Sequence, residues 1–146
     1  MKVDTVFKFM FWFLIFIMME SCSCTKCFQY KGGLYSCDFV MKSPVPLHKQ
    51  LINYEEGVIY HYYYKNSIIV IFEGSNAQIV FDNRIPQKIT HKKGIEINQG
   101  YTNKEYWKEY KKNGIRYGYV NVGKKDRKKF EKILNSIIFI QKRKVD

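Results

Sequence analysis

Two neighbouring runs of β-forming residues most constrain the fold of this chain. The first, Gly57–Tyr64, is dense in β-branched and aromatic residues, and the second, Ile68–Phe72, is almost wholly aliphatic. The three residues Lys65–Ser67 between them are typical of a tight turn, so we predict a β-hairpin. Because Gly74–Asn76 gives another turn, we expect Ala77–Phe81 to form a third strand of the same meander.

Further strands are expected on both sides of this meander. Leu34–Met41 favours a first strand, which the breaker Ser43–Pro46 would end. Residues 82–93 are expected to form a loop, and Gly94–Ile97 a short edge strand. Ile115–Val122 alternates in the manner of a strand.

The segment 103–112 fits two interpretations. Thr102–Glu105 has the spacing of a capping box, which would begin a helix. Asn113-Gly114, however, is the strongest short-range hairpin signal. We favour the hairpin, with Tyr106–Lys111 in its first arm.

The last predicted element is an amphipathic helix. Apolar side chains fall at i, i+3, i+4, i+7 and i+8 along one helix face: Phe130, Ile133, Leu134, Ile137 and Ile138. The expected fold class is therefore α+β, an antiparallel sheet of about five to seven strands with this C-terminal helix packed on one face. The ending, Gly118–Val122 followed by Phe130–Ser136, resembles that of small exported α+β lipoprotein domains.

The first 21 residues have the features of an export signal. Lys2 and Lys8 precede an apolar run of 11 residues, Phe9–Met19, and the small Ser21 follows. The run is shorter than the roughly 20 residues that a membrane-spanning helix needs. We predict a signal peptide over 1–21, a tether over 22–33 and a single α+β domain over 34–146.

The stretch Met19–Cys22 resembles the lipobox of bacterial envelope lipoproteins, in which the cysteine is acylated and becomes the new N-terminus. Met19 and Glu20 depart from the Leu and the small residue that this family usually has there. The resemblance implies lipidation of Cys22 and a membrane anchor in the cell envelope, facing the periplasm or on the outer membrane. Ordinary cleavage to a secreted protein and an uncleaved anchor are the alternatives.

Three further cysteines would remain after lipidation, enough for one disulfide: Cys24, Cys27 and Cys37. An oxidising compartment favours a disulfide over a zinc or redox site. A bond from Cys37 to Cys24 or Cys27 would contribute ~3 kcal/mol in the chain-entropy description. Unpaired thiols and a metal or redox role are the alternatives, and we expect neither metal nor cofactor.

The formal net charge of +12 arises wholly in the C-terminal half. Residues 22–83 hold five Lys against five acids, whereas residues 84–146 hold 18 Lys and Arg against six acids. Such asymmetry favours an anionic partner, with simple solubilisation by lysine as the alternative. Basic and aromatic residues that alternate are typical of binding hot spots, so we predict partner contacts from Tyr106, Trp107, Tyr110, Arg116, Tyr117, Tyr119 and Lys128.

The sequence indicates a binding protein rather than an enzyme. His48, His61 and His91 are widely spaced, and Ser75 does not lie in a nucleophile elbow. In size and predicted cellular location the chain resembles immunity proteins, which neutralise antibacterial toxins by binding them. This resemblance implies an acidic toxin as partner. The alternative is an envelope lipoprotein that binds an anionic glycan or lipid through its basic half, while nucleic acid is not expected.

Overall fold

The structure, a computed structural model, describes residues 25–30, 37–54, 57–74 and 78–141. The predicted signal peptide, the lipidation residue Cys22, Cys24 and Ser75 lie outside these ranges. In chain order the elements are β1 (Thr25–Tyr30), β2 (Cys37–Pro44), β3 (His48–Tyr54), β4 (Gly57–Tyr64), β5 (Ser67–Gly74), β6 (Lys88–Lys92), β7 (Ile95–Thr102), β8 (Glu105–Lys112), β9 (Ile115–Gly123), α1 (Arg127–Asn135) and β10 (Ile138–Gln141).

The strands form two antiparallel sheets. The larger has seven strands in the order β3-β4-β5-β9-β8-β7-β6, and the smaller has three in the order β1-β2-β10. Helix α1 packs against β9 and β2 and buries Phe130, Ile133 and Leu134. A mostly antiparallel fold with one short C-terminal helix confirms the α+β class in this general form. None of the helices in the described ranges has the length and hydrophobicity to cross a membrane.

The larger sheet is covered on both faces near its centre. On the front face, Phe39 and Met41 of β2 and Phe130 of α1 lie in one cluster with Tyr60 and Ile71. On the back face, a second cluster is formed by Ile59, Val70, Phe72, Ile79, Phe81, Trp107 and Val120. Burial on both faces explains the unbroken aliphatic run of β5, whose residues from Val70 to Glu73 are all buried.

Both predicted hairpins are confirmed. Strands β4 and β5 pair from Gly57 opposite Gly74 to Tyr64 opposite Ser67. Residues 103–112 do not form a helix, because β8 runs from Glu105 to Lys112 and pairs with β9. Asn113 and Gly114 between these strands have φ angles of 49° and 77°, the left-handed backbone that Asn-Gly adopts readily.

The prediction of a third meander strand is wrong for the part of Ala77–Phe81 that the structure describes. Residues 80–83 form turns, and the Ile79 amide donates a 2.7 Å hydrogen bond to Asp82 Oδ2. The alternating pattern arises because Ile79 and Phe81 both enter the back cluster. The predictions for residues 82–97 are also wrong. β6 lies within the expected loop, and β7 pairs with both β6 and β8 instead of forming an edge strand.

The two ends of the domain also differ from expectation. Residues 25–30 of the expected tether form β1, which pairs with β2, and β2 continues to Pro44 beyond the predicted Leu34–Met41. The predicted helix face included Ile137 and Ile138, but α1 ends at Asn135. The Lys42 amide donates a 2.9 Å bond to Ser136 Oγ, and the following residues then pair with β2 as β10.

The β1–β2 register bears on the cysteines. Cys27 lies opposite Lys42, which is five residues along β2 from Cys37. At about 3.4 Å per residue, the Cα atoms of Cys27 and Cys37 are about 17 Å apart along the strands. A disulfide needs Cα atoms at most about 6.8 Å apart. A Cys27–Cys37 disulfide is therefore incompatible with this pairing.

Candidate functional site

The candidate site is an open part of the front face of the larger sheet, beyond α1, which we call the tyrosine face. Its members are Lys88 and Lys92 of β6, Ile97, Gln99 and Tyr101 of β7, Tyr106, Lys108 and Tyr110 of β8, and Tyr117 of β9. They share one face because the registers place Lys88 opposite Gln99, Gln99 opposite Lys108 and Tyr110 opposite Tyr117. Their side chains are exposed or half-buried.

Strand alternation separates the charges of β8 between the two faces. Tyr106, Lys108 and Tyr110 point to the front. Glu105 and Glu109 occupy the alternate positions of the strand and therefore point to the back. Glu96 of β7 also points to the back, where Lys111 Nζ lies 3.2 Å from its Oε1. The tyrosine face thus keeps lysines and aromatic rings while the strand acids lie on the opposite side.

Aromatic contacts link these tyrosines. The ring centroids of Tyr101 and Tyr106 are 4.5 Å apart, and those of Tyr110 and Tyr117 are 5.0 Å apart in a stacked arrangement. Tyr117 also meets Phe139 of β10 at 5.0 Å. Such pairs add stability beyond the area that they bury, so the rings are held in place before any ligand arrives.

Helix α1 forms one wall of the tyrosine face. Lys108 Nζ and the Tyr119 hydroxyl donate hydrogen bonds of 2.8 Å and 2.9 Å to the two carboxylate oxygens of Glu131. Burial opposes the charge on Lys108, but the bond to Glu131 prevails and raises the pKa of that amine. Burial, together with Glu131, also raises the pKa of Tyr119. Arg127 lies with its guanidinium carbon 4.5 Å from the centre of the Tyr106 ring.

A small cavity opens where this wall meets the sheet. Its volume is about 160 Å³, and its lining includes Gln99, Tyr101, Tyr106 and Arg127. Gln87, also in the lining, holds the backbone of Tyr101 by two 2.9 Å bonds, one donated by its amide nitrogen and one accepted by its oxygen. Lys88 lies at the same opening.

The back face carries a charge network around the buried Glu109 rather than an open site. Arg116 donates 2.6 Å bonds to Glu109 Oε1 and Asp82 Oδ1, and Lys111 Nζ lies 3.7 Å from Glu109 Oε2. Burial would lower the pKa of Arg116, yet the bonds to these carboxylates raise it. Asn98 also bonds Glu96 at 2.9 Å. The network ties the turn at Asp82 to the sheet, which is a structural role.

The structure divides the predicted partner-binding residues. It brings Tyr106, Tyr110 and Tyr117 together, and Lys128 is exposed on α1 one turn before Glu131. Trp107 and Tyr119 are only 2% and 1% exposed, so the expectation that they contact a partner is corrected: these side chains build the core. Arg116 lies apart from these tyrosines, on the back face, where it bonds Asp82 and Glu109.

Sequence reasoning missed Lys88, Lys92, Lys108 and Arg127. The alternation of acids with tyrosine and lysine in Glu105–Lys112 could have indicated Lys108, once that segment was treated as a strand. Lys88 and Lys92 gave no signal, because a fully exposed edge strand lacks an apolar pattern.

No cluster of His, Cys, Asp or Glu suited to a metal ion occurs in the part of the chain that the structure describes. The site therefore consists of cationic and aromatic side chains on a sheet and helix framework. No protein-family model, curated protein sequence or solved structure matches this chain.

Proposed function

We propose that this chain is an exported, non-catalytic binding protein whose tyrosine face recognises an acidic protein. The observation that carries the proposal is the separation of charge in β7 and β8, which leaves the open face cationic and aromatic. Tyrosines supply large contact areas at low entropic cost, and complementary charge raises association rates and rejects wrong partners.

The partner that best fits is an antibacterial toxin, which would make this chain an immunity protein. An export signal and an acylated Cys22 would hold the domain in the envelope, where an incoming toxin is met. A wide face with a shallow cavity suits occlusion of a protein surface better than turnover of a small molecule.

The second candidate is an envelope lipoprotein that binds an anionic glycan or lipid. Tyr101, which is 42% exposed beside Tyr106, offers a ring on which a sugar could stack. The two candidates differ in salt dependence. Polyanion binding through many charge contacts weakens steeply as salt rises, whereas a protein interface with an aromatic centre weakens much less.

Protection of cells tests the immunity proposal. Bacteria that express a candidate antibacterial toxin in the periplasm should survive when they also express this full-length chain, and should die without it. Equal killing with and without the chain would contradict the immunity role.

Labelling with a palmitate analogue tests the proposed lipid anchor. The wild-type chain should incorporate a palmitate analogue, and Cys22→Ser should not, because only a cysteine at this position can be acylated. Cys24→Ser serves as the matched control and should be labelled like the wild type. Equal labelling of wild type and Cys22→Ser, or no labelling of either, would contradict the lipid anchor.

A further inference from the structure

Arg127 is a half-buried cation whose charge is not neutralised by an ion pair among the described residues. Glu131 lies one turn along α1, and its two oxygens accept bonds from Tyr119 and Lys108. The guanidinium instead lies over the Tyr106 ring at 4.5 Å. Stacking uses the flat face of a guanidinium, and a side-chain hydrogen bond joins Arg127 to Tyr119. The remaining N–H donors in the guanidinium plane can bind a further ligand.

The cavity beside Arg127 suits an anionic group at the end of a short side chain. Lys88 adds a second positive charge at its opening, Gln99 adds an amide, and Tyr101 and Tyr106 form apolar walls. Its lining contains no acid. A planar guanidinium matches a carboxylate through two parallel hydrogen bonds, which makes a carboxylate the preferred anion.

The size of the cavity selects the kind of ligand. Pockets for small molecules and cofactors occupy roughly 300–1,000 Å³, and this cavity has about 160 Å³. One side chain fits this space, whereas a sugar chain or a cofactor would extend well outside it.

We infer that the cavity of Arg127, Tyr106, Tyr101 and Gln99 is the socket for one glutamate or aspartate side chain of the partner protein. The assignment of the carboxylate to a protein rests on the proposed function. The carboxylate accepts two hydrogen bonds from Arg127, and its methylene groups lie against the outer surfaces of the two tyrosine rings, which are in contact with each other. The socket supplies a large part of the binding energy of the tyrosine face, since arginine contacts of this kind dominate interfaces when water is excluded around them.

A titration with a single blocked amino acid tests the socket without any partner protein. The probe is N-acetyl-glutamate N-methylamide, added to full-length protein in detergent micelles while the Nε–Hε signal of Arg127 is followed by NMR. This signal should shift and saturate with blocked glutamate and stay in place with blocked glutamine, which has the same shape without the charge.

Two variants sharpen the test. Arg127→Gln should weaken binding of the blocked glutamate, followed on the backbone amides of Tyr101 and Gln99, by about ten- to a hundredfold, the factor for a lost charged hydrogen bond. Lys125→Gln removes the same charge outside the cavity lining and should bind the probe like the wild type. Equal loss in both variants, or equal shifts with blocked glutamate and blocked glutamine, would overturn the socket.

The outcomes also separate the socket from the proposed function. If the probe binds at Arg127 but the chain gives no protection from the toxin, the socket stands and the immunity role falls. If the chain protects cells from the toxin but the probe does not bind, the immunity role stands and the socket is wrong. Tighter binding of glucuronate than of blocked glutamate would overturn the assignment to a protein side chain.

Discussion

Replacing Trp107 by alanine should lower the free energy of unfolding by about 3–5 kcal/mol, the range for loss of a large buried aromatic side chain. Trp107 is 2% exposed and packs in the back cluster with Val70, Phe72 and Phe81. It lies across Gly100, where even a Cβ atom would come within 2.5 Å of Trp107 Nε1. Chemical denaturation of the full-length protein in detergent measures the effect.

Two control variants separate a core role of Trp107 from a binding role. Trp107→Phe should cost less, about 1–2 kcal/mol, because the indole N–H finds no hydrogen-bond acceptor within the described ranges. Tyr101→Ala, at a ring that is 42% exposed, should lower stability by only about 1 kcal/mol, the contribution of its ring contact with Tyr106. If Trp107→Ala unfolds like the wild type, the core assignment of this side chain is wrong.

The second large effect is expected at Glu109. Its side chain is 3% exposed and lies between Arg116 and Lys111. Arg116 keeps Asp82 and Lys111 keeps Glu96 when Glu109 is neutralised. Glu109→Gln therefore removes the charged acceptor of a buried hydrogen bond and should lower stability by about 2–3 kcal/mol.

Asp82→Asn is the matched control for Glu109→Gln, since it also removes a carboxylate bonded to Arg116. The Asp82 side chain is 32% exposed, so water can compensate for the lost charge, and the cost should stay near 1 kcal/mol. The measurement is again the denaturation midpoint. Equal effects of the two variants would show that burial of Glu109 does not set its importance.

The sequence predicted best where local pattern and tertiary environment agree. Gly57–Tyr64 and Ile68–Phe72 are rich in β-forming residues and lie in the middle of the sheet, so both strands appear as expected. The alternation at Ile79 and Phe81 misled, because two buried side chains in a turn that packs on the back face give the same pattern as a strand. Ile138 continues the helical spacing in the sequence. In the structure, however, Ser136 bonds to Lys42, and the residues from Ile138 pair with β2.

The candidate site was only partly predictable, for a physical reason. Charge and aromatic content correctly identified the C-terminal half as the half that carries the candidate site. They could not separate the two sheet faces, because neighbours in a strand point to opposite faces. Trp107 and Arg116 therefore fall on the back of the sheet, while Tyr106 and Tyr117 fall on the front. The position of Arg127 over Tyr106 depends on how α1 sits on the sheet, which no short-range pattern encodes.

The affinity of this chain for the acidic protein proposed as its partner, measured with charge-reversal variants, tests most directly whether the tyrosine face is the binding surface. Lys88 and Lys92 are exposed on that face, and Lys42 is an equally exposed lysine of the smaller sheet. The double variant Lys88→Glu/Lys92→Glu should bind an acidic partner about a hundredfold more weakly, since like charges brought together cost several kcal/mol. Lys42→Glu should bind like the wild type. An unchanged affinity of the double variant, or an equal loss with Lys42→Glu, would contradict the account.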